Sequence, residues 1–135
     1  MKRPLFIPAL LLTPLLLLTG CHKDTVVGKW QGTAPGPGAA SVAITYNFAE
    51  DGKETVGIQT QGGPVTFTVN GTGTYKVDGA NLTQTITSMT MGTQTFNLPP
   101  GKSQPHTSPF KLDGDKLTLT NSQSGQTMTL TRMKE

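Results

Sequence analysis

A chain of 135 residues with one cysteine cannot carry an intrachain disulfide framework, and 14% charged residues give no basic stripe for nucleic acid. The formal net charge of +3 includes Lys2 and Arg3, so the rest of the chain is close to neutral. Hydrophobic residues make up only 34%, a thin supply that suits strands burying one face.

The N-terminus has the three parts of a secretory signal: basic Met1-Lys2-Arg3, a leucine-rich apolar run over 5–18, and the small pair Thr19-Gly20. A spanning helix needs about 20 apolar residues. This run is shorter and is interrupted by Pro8 and Pro14, which favours a signal over a permanent span.

The next residue is Cys21, and Leu18-Thr19-Gly20-Cys21 resembles the signature of bacterial lipoproteins: Leu, a small residue, Gly or Ala, then Cys. The resemblance implies cleavage between Gly20 and Cys21, a diacylglycerol on the Cys21 sulfur and acylation of the new amine. The alternative is a free cysteine behind an ordinary signal. Two or three acyl chains anchor stably where one holds only marginally. His22 stands where Asp would favour inner-membrane retention in that family, so the outer membrane is expected if the source has one, and otherwise the cell membrane. The expected organisation is a signal over 1–20, a lipidated tether over 21–25 and one domain over 26–135. Cys21 to Gly28 is a step of seven residues, at most about 25 Å extended, so the first strand should lie near the lipid surface, where any ligand would be met.

Residues 26–33 read as a first strand, and the Pro- and Gly-rich stretch 34–40 as a loop. Residues 41–49 alternate, with Val42, Ile44, Tyr46 and Phe48 on one face. Residues 75–85 and 110–120 share the pattern aromatic-Lys-aliphatic-Asp-Gly-x-x-Leu-Thr-x-Thr, with a weaker echo at 48–55. Asp-Gly between alternating runs predicts hairpins. If both residues occupy a two-residue turn, Tyr75 faces Leu82 and Phe110 faces Leu117; a longer, bulged turn shifts that register. Further strands are expected over 53–60, around Val65, Phe67 and Val69, over 94–98 and over 126–133. Asn70-Gly71 reads as a turn or as a bulge in one long strand.

Residues 80–91 are ambiguous. Leu82, Ile86 and Met89 fit a helical spacing, whereas Thr83, Thr85, Thr87 and Thr90 favour a strand, and the strand is expected. The many threonines suit the solvated faces of strands.

From residue 26 onward the chain looks like the small lipocalin-like domains of bacterial lipoproteins. The residues carrying this are Gly28-Lys29-Trp30, Phe48-x-x-Asp51-Gly52, Gly73-Thr74-Tyr75-x-Val77-x-Gly79-x-x-Leu82, Gly114-Asp115-x-Leu117-x-Leu119 and Leu130-Thr131-Arg132. The resemblance implies an all-β fold, an antiparallel up-and-down meander closed into a barrel of about eight strands. It also implies a structural contact in which Arg132 lies over Trp30 and closes one end. The chain departs from lipocalins in lacking a C-terminal helix and a disulfide, and a small barrel can fill itself with side chains.

Chemical motifs are weak. Gly101-Lys102-Ser103 lacks the earlier Gly of a phosphate loop, since Phe96 stands there. Gly71-x-Gly73 has Lys76 where a dinucleotide motif needs its third Gly. The histidines are His22 and His106, without zinc-like spacing to other ligands. Ser103 misses a nucleophile elbow. No catalytic residue, metal or cofactor is therefore expected.

The Pro-rich stretch 97–109 reads as a solvent-exposed connector, or else as a lid or docking segment. The expected function is binding of a small apolar or amphipathic envelope molecule, lined by inward residues such as Ile44, Tyr46, Phe48, Ile58, Phe67, Tyr75 and Leu82. The same residues would also make a filled core. The alternatives are a non-enzymatic interaction or structural protein with a filled barrel, and an enzyme inhibitor.

Overall fold

The computed structural model describes residues 25–36, 38, 40–63, 66–99 and 101–134. Gly20, Cys21, the expected signal and the expected tether up to residue 24 lie outside the described residues, as does Val65.

Nine strands follow one another: β1 (Gly28–Pro35), β2 (Ser41–Phe48), β3 (Lys53–Gln61), β4 (Thr68–Asp78), β5 (Asn81–Met91), β6 (Gln94–Asn97), β7 (His106–Asp113), β8 (Lys116–Thr120) and β9 (Thr127–Arg132). Pairing is antiparallel throughout and runs in chain order apart from β6; β9 returns to β1 through Trp30↔Arg132 and Gln31↔Thr131. The result is a closed barrel of eight strands, with no free edge along the ring. The alternation of β2 supplies its inner face: Val42, Ile44, Tyr46 and Phe48 sit opposite Thr60, Ile58, Val56 and Glu54 of β3. Thr33, Thr45, Thr55, Thr72, Thr74, Thr129 and Thr131 are exposed, as expected for the solvated face. Asn70-Gly71 lies within the continuous strand β4 and makes no turn.

The hairpin register differs from the Asp-Gly expectation. Asp78 pairs with Asn81 and Asp113 with Lys116, so the central turn residues are Gly79-Ala80 and Gly114-Asp115. Tyr75 therefore faces Gln84, and Phe110 faces Leu119. Each glycine takes the first central position, with φ of +59° and +57°, and no described non-glycine residue has positive φ. A two-residue turn with Gly first needs positive φ only there, so Asp stays in the strand. The third copy is longer: Gly52 donates to the Ala49 carbonyl at 3.1 Å, Ala49 to Lys53 at 2.9 Å, and Asp51 Oδ1 accepts from the Lys53 amide at 3.1 Å.

The ambiguous stretch is strand β5, and a bulge explains its helix-like spacing. Thr72 pairs with Ser88 but Gly73 pairs with Ile86, leaving Thr87 as an extra residue. Strand parity flips there, so Ile86 and Met89 both face inward. One edge of β5 pairs with β4 along its length; the other takes β7 at residues 81–84 and β6 at residues 88–91. The Pro-rich stretch is thus divided. Asn97 ends β6, His106–Pro109 begin β7, and residues 98–105 bridge them. Proline is tolerated opposite Asn81, and the next amide, Phe110 N–H, donates to Ala80 at 2.8 Å.

The barrel has two unlike ends. The three Asp-Gly turns and the start of β1 lie at one; the longer connections lie at the other. The core fills the first end: Val26, Trp30, Phe48, Leu82, Leu117, Leu119 and Leu130 are buried, with Tyr46, Tyr75, Phe110, Leu112 and Met128 against them. Phe48 stacks on Tyr46 at 5.5 Å and meets Tyr75 edge-on at 4.9 Å. Burying each large apolar side chain contributes about 1.5–3 kcal/mol.

Candidate functional site

At the packed end the first strand and the last meet. Trp30 is fully buried and its indole Nε1 donates to the Val26 carbonyl at 2.7 Å. The Arg132 guanidinium lies 4.1 Å from the Trp30 ring centroid. It also donates from Nη1 to Val27 at 2.7 Å and from Nη2 to Thr25 at 2.9 Å, while Asp115 approaches Nε at 3.6 Å. Gly28 has φ +125°, and a Cβ there would come within 2.9 Å of Nη1. The Gly28-x-Trp30 spacing thus serves the seal: glycine makes room for the cation that covers the indole.

At the opposite end the interior is open. A cavity of about 320 Å³ lies between β2, β3, β4, β5 and the bridge 98–105. Val56, Ile58, Val69, Ile86 and Met89 form its apolar wall; Leu98, Lys102, Ser103 and Gln104 come from the bridge; Tyr46, Gln84 and His106 supply polar groups. The bridge is held by Leu98 N–H donating to Thr87, at the bulge, at 2.8 Å. A second cavity of about 460 Å³, towards β1, β8 and β9, shares Tyr46, Gln84 and His106. These volumes lie within the range of small-molecule sites. The rim beside the first cavity exposes Phe67, Met89, Met91 and Phe96. Met89 pairs with Phe96, and the register β3–β4–β5 sets Ile58, Val69 and Met91 in one row.

Below the cavities lies the one buried carboxylate among the described residues. Glu54 is 1% exposed; its Oε2 accepts from Gln84 Nε2 at 2.7 Å, and its Oε1 has no hydrogen-bond partner. Burial pushes its carboxyl above the ordinary range, and the Gln84 hydrogen bond offsets part of that rise. Burial first, and then the Glu54 charge, push the Tyr46 hydroxyl up, against a lowering hydrogen bond with Gln84. Tyr46, Gln84 and Glu54 are therefore one coupled polar group between a packed half and an open half. Tyr75 is also raised, mainly by burial, and its hydroxyl donates to Ala49 at 2.7 Å.

The lining expected from the sequence divides between these halves. Phe48 and Leu82 belong to the packed core, with Tyr75 against it; Tyr46 and Ile58 line the cavity; Phe67 is exposed at the rim. The bridge is not a simple exposed connector, since four of its side chains line the cavity. Glu54 and Gln84 were not among the expected lining residues. The signal was present in the alternation: Glu54 falls on the face of Val56 and Ile58, and Gln84 between Leu82 and Ile86. A comparison with protein-family models finds no match to the chain, and a comparison with curated proteins finds no significant relative.

Proposed function

We propose that this chain is a lipid-anchored cell-envelope lipoprotein with a lipocalin-like barrel that binds a small apolar or amphipathic molecule and catalyses no reaction. The observation that supports this reading is the half-filled barrel: a packed core at one end and a cavity of about 320 Å³ with an apolar wall at the other. The Gly28-x-Trp30 seal with Arg132 supports the lipocalin-like reading, and Leu18-Thr19-Gly20-Cys21 supports anchoring through Cys21. In this reading the tether leaves from the packed end. The mouth lies beyond the eight residues of β1, about 20 Å further along the axis once strand tilt is allowed for. The ligand is then met one barrel length from the end that faces the lipid surface. The packed half is what supports the second reading, a non-enzymatic interaction protein with a filled barrel.

The test is displacement of a neutral hydrophobic dye from the whole chain carrying Cys21→Ser. Dye uptake that is lost in Ile58→Trp, which fills the cavity, supports binding. No uptake by a folded protein rejects it.

A further inference from the structure

The charges of this barrel are distributed unevenly. Every described carboxylate (Glu50, Asp51, Glu54, Asp78, Asp113, Asp115) lies at or near the packed end, and so does every described Lys or Arg except Lys102. The mouth carries no carboxylate among the described residues, and its rim is apolar through Phe67, Met89, Met91 and Phe96. The exposed apolar rim and the apolar wall lead inward to the Tyr46–Gln84–Glu54 group, while Lys102, Ser103 and Gln104 of the bridge add polar groups along one side of the cavity.

Within that inner group one carboxylate oxygen lacks a donor. Gln84 Nε2 donates one of its two N–H groups to Glu54 Oε2. Glu54 Oε1 is buried without a partner, and no described cation forms an ion pair with Glu54. A buried carboxylate left without a compensating donor is costly, and a ligand that supplies one recovers that cost. Lys102 and His106 also line the cavity and are exposed, His106 as the Cα partner of Gln84.

We propose that the cavity takes an amphiphile head-first, with a primary ammonium head at Tyr46, Gln84 and Glu54 and an alkyl tail passing Ile86 and Met89 to the apolar rim. This rests on the binding-module reading and adds the ligand's charge and its orientation. The tail then covers Met89, Met91 and Phe96, three of the apolar side chains the fold leaves exposed.

The test uses the whole chain carrying Cys21→Ser and three probes of equal tail length, decylamine, decanol and decanoate, each below its micelle concentration at pH 7. Binding is followed by NMR titration of the methionine methyl and aromatic resonances. Decylamine should bind about tenfold or more tightly than decanoate, with decanol between them. Its terminal methyl should give contacts to Met89 and Met91, and its head should shift Tyr46. Glu54→Gln should bring the amine and the carboxylate to within about threefold of each other. Should that variant fail to fold, the probe preference and the contacts in the Cys21→Ser chain still decide. Equal binding of all three probes, tighter binding of decanoate, or a tail methyl against Tyr46 would overturn this inference and leave the binding module standing. Absence of binding by every probe would overturn both.

Discussion

Arg132 and Trp30 are Cα partners across the β1–β9 seam, and the guanidinium stacks 4.1 Å over the indole while donating to the carbonyls of Val27 and Thr25. One side chain thus joins the first strand to the last, covers the core and holds residues 25–27 before β1. Arg132→Ala should cost about 2–4 kcal/mol, from a partly desolvated cation–π contact and two hydrogen bonds. Arg132→Lys should recover only part of this, because an ammonium cannot stack and reach both carbonyls as a planar fork does. Urea denaturation followed by Trp30 fluorescence measures both; a loss below about 0.5 kcal/mol for the alanine variant would remove the seal from the account.

Glu54 gives a pH dependence with a defined sign. Its carboxyl is raised in the fold above the ordinary value of 4.5, so the folded state holds its proton more tightly than the unfolded chain. Its contribution to stability is fully present below that ordinary value and is lost as pH rises through the raised one. Glu54→Gln keeps an acceptor for Gln84 and removes the buried charge. The variant should therefore be more stable than wild type at pH 7, and the difference should vanish by about pH 4. Asp51 acts oppositely, being lowered by its hydrogen bonds to Lys53, but it is common to both proteins and cancels in the difference. Thermal melts of the pair across pH 4–8 check this; a constant difference would contradict it.

The turns predict which residue matters in each repeated Asp-Gly pair. Gly114 has φ +57°, so Gly114→Val forces a β-branched side chain into the left-handed region and should cost about 1–2 kcal/mol or more. Asp113→Asn, at a strand position with ordinary φ, should change stability by less than about 0.5 kcal/mol. Comparable losses in denaturant titrations would mean that the turn is read wrongly.

The anchor is tested by Cys21→Ser, which removes the sulfur that would carry the diacylglycerol. Cell fractionation should find the wild type in the membrane pellet after a salt wash and the variant in the soluble fraction. Retention of the variant would count against lipidation as the source of attachment.

The alternation of β2, the threonine-rich outer faces and the recurring turn glycines were enough to specify an antiparallel all-β chain, because each is a local consequence of strand geometry and φ. Spacing over two or three residues was also enough to place Gly28 beside Trp30. Register was not local. The choice between Tyr75 facing Leu82 and facing Gln84 depends on which residue takes positive φ, and a repeated Asp-Gly fits either reading until strand pairing is fixed. The bulge at Thr87 likewise depends on β4 and β5 together, so alone its parity flip looked like a helical period.

The sequence by itself determined the strands, the turn glycines and the apolar alternation, because those follow from backbone sterics and from which side chains water rejects. Only the tertiary structure decided what the inner faces enclose. Residues far apart in the chain, Phe48, Leu82, Leu117 and Leu130, close on one another at one end and fill it. At the other, Ile58, Ile86 and residues of the bridge stand apart around open space, with Glu54 and Gln84 beneath them. Whether facing side chains meet or leave room depends on barrel closure and on the path of the bridge, which no local pattern encodes.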